Sequence, residues 1–159
     1  MPSPLHVEIS RNSEGWPDSL DARAEQAVRE ALQQSRATVT GAAELSIVLT
    51  DDEQQRALNR DWRGIDKSTN VLSFPQIEPF GPVEGLLGDV LLARETLERE
   101  AVDLGVSFED HFTHLMVHGF LHILGYDHMD DDEALVMESL ETQILASLGV
   151  ADPYAENET

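Results

Sequence analysis

The chain has 159 residues and not one cysteine. Disulfides, thiolate metal sites and thiol nucleophiles are therefore excluded. Any transition-metal site must be built from His, Asp or Glu. Basic residues are scarce as well. Ten stand against thirty-one acids, giving a formal net charge of −21, with a single lysine, Lys67, and no Lys or Arg after Arg99. Such a charge favours solubility and repels polyanions, so taken alone it argues against nucleic-acid binding. No apolar run approaches 18 residues, and no membrane-spanning helix is expected. "MPSPLHVEISRNSEG" has no basic segment followed by an apolar one, so it does not read as a secretory leader and a cytoplasmic protein is expected.

What is present fits a globular domain: 41% of residues are hydrophobic, in a chain long enough for a core without staples. One domain over 1–150 is expected, with 151–159 a flexible acidic tail. "LHVEIS" (5–10) alternates as a strand. Residues 18–36 place Leu20, Ala24, Ala27, Val28, Ala31 and Leu32 on one helical face. "ELSIVLT" (44–50) is a strand with Leu45, Ile47 and Leu49 on one side, and Thr50 with Glu53 forms a capping-box pattern opening a helix to about Trp62. "NVLSFP" (70–75) and "LLGDVLLA" (86–93) read as strands, followed by helices near 94–103 and from a Ser107 cap to about Leu124. In the last helix Val136, Leu140, Ile144 and Leu148 are spaced by four. The order β-α-β-α-β-β-α-α-α predicts an α+β fold, a mixed sheet of about four strands with helices packed on it.

The chemistry concentrates in "VHGFLHILGYDH" (117–128), which holds three of the six histidines. With residues about 100° apart on a helix, His111, His114, His118 and His122 share one stripe. Phe112, Met116, Val117, Phe120, Ile123 and Leu124 cover most of the remaining circumference, the mark of a buried helix. A polar stripe on such a helix must face something that satisfies it. His118 and His122 lie one turn apart, about 6 Å between Cα atoms, close enough to converge on one ion. His114 and His122 are about 12 Å apart and cannot join them on a straight helix. Gly125 lets the chain double back and present His128. Three nitrogen ligands with a free fourth vertex make a catalytic rather than a structural arrangement. His114, Asp89 and Asp127 are expected to support the ligands.

Gly119 stands where His-Glu-x2-His peptidases carry their general base. A bound ion can still acidify water without that carboxylate, but peptide hydrolysis by the usual route loses its central acid–base group.

"HGFLHILGYDH", "RGIDKSTNVLSFP" (63–75) and "LLGDVLL" (86–92) resemble the YbeY family of bacterial metal-dependent endoribonucleases that mature ribosomal RNA. The resemblance runs from about residue 45 to 146. It implies a zincin-like fold and one zinc ion on His118, His122 and His128, with Arg63 as the functional arginine. It also implies single-strand-specific cleavage in 16S ribosomal RNA 3′-end maturation and ribosome quality control, with the small ribosomal subunit or its associated proteins as partners. No DNA substrate and no membrane are expected.

Arg56, Arg60 and Arg63 are spaced by four and three, with Lys67 close behind, so four of ten basic groups fall within twelve residues. This is the candidate phosphate-contacting edge, with Arg63 stabilising charge and Arg56, Arg60 and Lys67 orienting the strand. Two other readings remain at this stage: a metalloprotease-like hydrolase lacking its glutamate, and a ribosome-assembly factor whose zinc is structural.

Overall fold

The computed structural model describes residues 5–64, 69–127 and 130–153, with Arg63 described by its backbone alone. Its elements run β1 (Leu5–Arg11), α1 (Leu20–Gln34), β2 (Val39–Thr50), α2 (Asp52–Arg63), β3 (Val71–Pro75), β4 (Val83–Ala93), α3 (Arg94–Leu104), α4 (Phe108–Leu124) and α5 (Asp131–Ser147). The expected order and mixed sheet are both found. The four strands lie in the order β1-β2-β4-β3. β1 and β4 flank β2 in parallel, while β3 pairs with β4 antiparallel and forms an edge.

The two faces of the sheet differ. Leu45, Ile47, Leu49, Val90 and Leu92 point into the main core, where they meet the apolar faces of α1, α4 and α5. Helix α4 is the centre of that core: Phe112, Met116, Val117, Phe120, Leu121, Ile123 and Leu124 are all fully buried. Burial of each such side chain is worth about 1.5–3 kcal/mol, so this helix is held in place independently of its histidines. Helix α2 lies on the other face, where Gln55 Nε2 donates to the Leu91 carbonyl at 2.9 Å.

Several details differ from the sequence reading. The N-cap of α2 is Asp51, whose side chain accepts from Gln54 N–H, while Thr50 ends β2 in the buried interior. On α5 the buried stripe is Met137, Glu141, Ile144 and Leu145, and Val136 is 55% exposed. Leu87 and Leu91, which strict alternation along a strand would place together, do not share a face. The register of β2 on β4 shifts at Glu44/Leu45, inserting Leu87 as an extra residue. A bulge of this kind reverses the alternation beyond it, so Leu87 joins the core with Val90 and Leu92 while Asp89 and Leu91 face α2.

At the C-terminal end, Val150 is buried and its N–H donates to the Leu145 carbonyl at 2.8 Å. Thr142 Oγ1 donates to Asp152 at 3.2 Å. Residues 154–159 of the expected tail lie outside the described residues. Among the described residues, no helix is long and apolar enough to cross a membrane.

Candidate metal centre

Ser107 caps α4 as its sequence predicts, accepting from Asp110 N–H at 3.0 Å. The histidine stripe then meets a carboxylate at each turn. His111 Nε2 lies 2.8 Å from Glu100 Oε1 on α3. His114 Nε2 lies 3.0 Å from Glu141 Oε1, and His118 Nδ1 lies 2.8 Å from Glu141 Oε2. Burial pushes the Glu100 carboxyl up, but the hydrogen bonds from His111 and Asn70 outweigh it and leave its pKa below the ordinary glutamate value.

Glu141 is fully buried on the core-facing side of α5. An ionised carboxylate accepts and cannot donate, so Glu141 in that form takes the proton of His118 Nδ1 in a hydrogen bond and leaves the Nε2 lone pair unprotonated. That lone pair points toward the next histidine: His118 Nε2 and His122 Nε2 are 3.2 Å apart. Two nitrogens bound tetrahedrally to zinc at about 2.0–2.1 Å would sit about 3.3 Å apart. The pair therefore fits a shared metal ion both in spacing and in tautomer.

The chain reversal after α4 is pinned from several sides. Gly125 N–H donates to the His122 carbonyl and Tyr126 N–H to the Leu121 carbonyl, the two bonds of a Schellman ending. Gly125 has φ +120°, and a Cβ there would meet Phe80 N at 2.7 Å. The Tyr126 ring packs edge-on to Phe80 at 4.9 Å, its hydroxyl accepts from Arg36 N–H, and the Arg36 guanidinium lies 3.6 Å from the Phe80 centroid. This turn leads directly to His128, which lies outside the described residues. Among the described residues no cluster of three metal-binding side chains occurs. Asp127 Oδ1 is 4.0 Å from His122 Nδ1, an ion-pair distance too long for a direct hydrogen bond.

Asp89, expected to support the ligands, bonds to no histidine among the described residues. The bulge turns it to the α2 face, into a groove with Trp62, Phe74 and Gln76, whereas its neighbour Val90 is the residue beneath Gly119 on α4. Arg56 and Arg60 are exposed on α2, with Arg60 Nε 3.2 Å from Asp61. The side chain of Arg63, and Lys67 entirely, lie outside the described residues.

Glu141 is the site residue that the sequence reading missed. Its signal was available: it sits four residues from Met137 and four from Leu145, on the stripe that α5 buries. A carboxylate in such a position needs donors, and the histidine helix is the element that supplies them.

Gly119 is explained by packing. A Cβ there would approach Val90 Cγ1 at 2.9 Å, Val71 Cγ2 at 3.1 Å and Ser73 Oγ at 3.3 Å. Ser73 Oγ also donates to the Gly119 carbonyl at 3.0 Å. The helix lies so close to β3 and β4 that even a Cβ at this position would require Val90 to shift.

A buried helix thus carries a stripe of histidines backed by acids from the neighbouring helices. A family model described as "Endoribonuclease YbeY" matches residues 8–149. "Endoribonuclease YbeY" of Agrobacterium fabrum is 52% identical over 163 residues, covering 97% of each chain. "Endoribonuclease YbeY" of Rhizobium meliloti is 48% identical over 161 residues, covering 96% of each. The solution structure of TM1509 from Thermotoga maritima has the same fold, with a TM-score of 0.57 at 20% identity over 91% of this chain and 92% of that one. The chain belongs to the Endoribonuclease YbeY family.

Proposed function

We propose that the chain is a metal-dependent endoribonuclease that cuts single-stranded RNA in the maturation of the 16S ribosomal RNA 3′ end and in ribosome quality control, in the cytoplasm. One zinc ion per chain would be held by His118, His122 and His128. The observation carrying this reading is the 3.2 Å approach of His118 Nε2 to His122 Nε2, with the His118 tautomer set by Glu141. When bound, the ion supplies Lewis acidity that makes water a nucleophile or base near neutral pH.

The chain's own residues supply the rest. Glu141 orients His118 and keeps its lone pair available. Arg63, at the C-terminal end of α2, stabilises charge on the scissile phosphate, a planar donor fork being suited to phosphate oxygens. Arg56, Arg60 and Lys67 orient the strand. Helices α2 and α4 lie on opposite faces of the sheet, so an RNA strand reaching both passes over the β3 edge.

With so few cations on a body of net charge −21, affinity for free RNA is weak and salt-sensitive. Delivery of the substrate by the small ribosomal subunit or a protein bound to it follows from that charge. A peptidase reading is disfavoured by the lack of room for a glutamate at 119. Three histidine ligands would leave a vertex for water, which favours a catalytic over a purely structural zinc.

The test is cleavage of a single-stranded 16S precursor 3′ segment by wild type and Arg63→Ala. Loss of roughly 10²–10³ in kcat with the fold retained is expected. Unchanged processing by a folded Arg63→Ala protein would favour the assembly-factor reading. A cyclic phosphate at the product end would assign attack to the ribose 2′-hydroxyl, and its absence to water.

A further inference from the structure

We propose that the groove between α2 and the β3 edge is a nucleobase subsite, in which Trp62 and Phe74 stack a base of the RNA strand that crosses this edge and Asp89 reads its edge. The proposal rests on the endoribonuclease reading and extends it to a part of the molecule that reading does not use.

Trp62 is 73% exposed, the most exposed large aromatic of the described residues. It is fixed nonetheless, its ring tilted edge-on to Phe74 with centroids 6.5 Å apart. The two rings, with Leu58 and Leu91, bound a groove of about 300 Å³ whose polar lining is Gln76 and Asp89. An exposed indole above a second aromatic wall is the arrangement by which proteins hold single-stranded nucleic acid, since every base has a π face. Its position is apt. Ser73 bonds to the carbonyl of Gly119 on the α4 face of β3, and Phe74, the next residue, faces the α2 side, so the two together mark where a strand crosses the β3 edge. The groove also lies on the same helix as the exposed Arg56 and Arg60, which suit the flanking phosphates.

Asp89 gives the groove a preference. Among the described residues its carboxylate makes no hydrogen bond, although it is partly buried between Leu91 and Phe74, its register partner. A carboxylate here repels phosphate but accepts from base N–H groups. Guanine, with adjacent N1–H and N2–H₂ donors, can engage both oxygens; uracil and adenine cannot. The expected occupant is therefore a guanine of single-stranded RNA.

The test measures binding of 2′-O-methyl oligonucleotides, verified to be intact after the titration, and steady-state cleavage of matching RNAs, by wild type, Trp62→Phe, Trp62→Ala and Asp89→Asn. Trp62→Ala should weaken binding about five- to 150-fold, with the effect falling on KM more than kcat, and Trp62→Phe should restore most of it. Quenching of tryptophan fluorescence by the oligonucleotide should vanish in Trp62→Phe, because the chain's other tryptophan, Trp16, is buried. Asp89→Asn should erase the preference for guanine over inosine, which lacks the 2-amino group. If Trp62→Ala binds and cleaves RNA as wild type does, or loses binding to the small ribosomal subunit while free RNA is bound normally, the subsite proposal is overturned and the endoribonuclease reading stands. If wild type cleaves no RNA in the presence of metal, the endoribonuclease reading fails and the subsite with it.

Discussion

Glu141 Oε2 lies 2.8 Å from His118 Nδ1, and this carboxylate, shared with His114, is fully buried. It comes from α5, twenty-three residues beyond the histidine it orients. Buried carboxylates are tolerated when donors surround them, and here the donors are the histidines of the candidate metal centre. Packing of α5 on α4 and readiness of the site to take an ion are thus one structural event.

The first prediction concerns that contact. Glu141→Gln keeps the shape but replaces an obligate acceptor with a group that can also donate, so the His118 tautomer is no longer fixed. Affinity for zinc should fall about 10- to 100-fold, measured by competition with a chromophoric chelator. An unchanged affinity would remove Glu141 from the site.

Metal removal should lower thermal stability. An ion present at a hundred times its Kd contributes about 2.7 kcal/mol, which for a chain of this size corresponds to a Tm shift of roughly 5–10 °C. Calorimetry with zinc and with chelator checks it. His122→Ala should show no difference between the two conditions.

Gly119→Ala should destabilise the protein. Alanine gains about 1 kcal/mol of helix propensity, but its Cβ would press on Val90 and Val71, neither of which has a flexible end to withdraw. Crowding of this kind costs about 1–3 kcal/mol and outweighs the gain. Urea denaturation of Gly119→Ala decides the sign, and a stabilised variant would contradict the packing account. By the same contact, Gly119→Glu should misfold rather than become a peptidase.

The histidine pair, the Ser107 cap and the turn at Gly125 were legible because each depends on spacing within one helix or its end. Glu141 was not read, because its role depends on which face α5 turns toward α4, and the apolar stripe had been placed one residue too early, through Val136. Asp89 was misplaced for a related reason. Strict alternation puts it beside Leu87, whereas the bulge that separates them arises from pairing with β2, and single-strand periodicity does not encode it. The α2 cap is Asp51 rather than Thr50 because Thr50, the last residue of β2, is buried and α2 begins at Asp52.

Acid sensitivity should follow from the junction of α2 and α3. Asp52 accepts from Thr96 N–H and Oγ1 and from Arg99, while its own N–H donates to Glu95. Burial pushes the Asp52 carboxyl up, but the bonds from Thr96 and Arg99 outweigh it and leave its pKa lowered. The stabilisation is therefore fully present above the unfolded aspartate pKa of about 3.9 and is lost as pH falls through the lower folded value. Asp52→Asn should flatten the part of the stability profile around and below about pH 3.9, read by denaturant midpoints. An Asp52→Asn profile parallel to wild type would show that the junction does not carry it.

The central claim is that the α4 histidines hold an ion on which RNA cleavage depends. Metal content and cleavage of single-stranded RNA, measured on the same preparations of wild type and His122→Ala, test it most directly. One ion per chain with cleavage in wild type, and loss of both in a His122→Ala protein with an unchanged circular dichroism spectrum, is the predicted result. Undiminished cleavage by metal-free His122→Ala would contradict it.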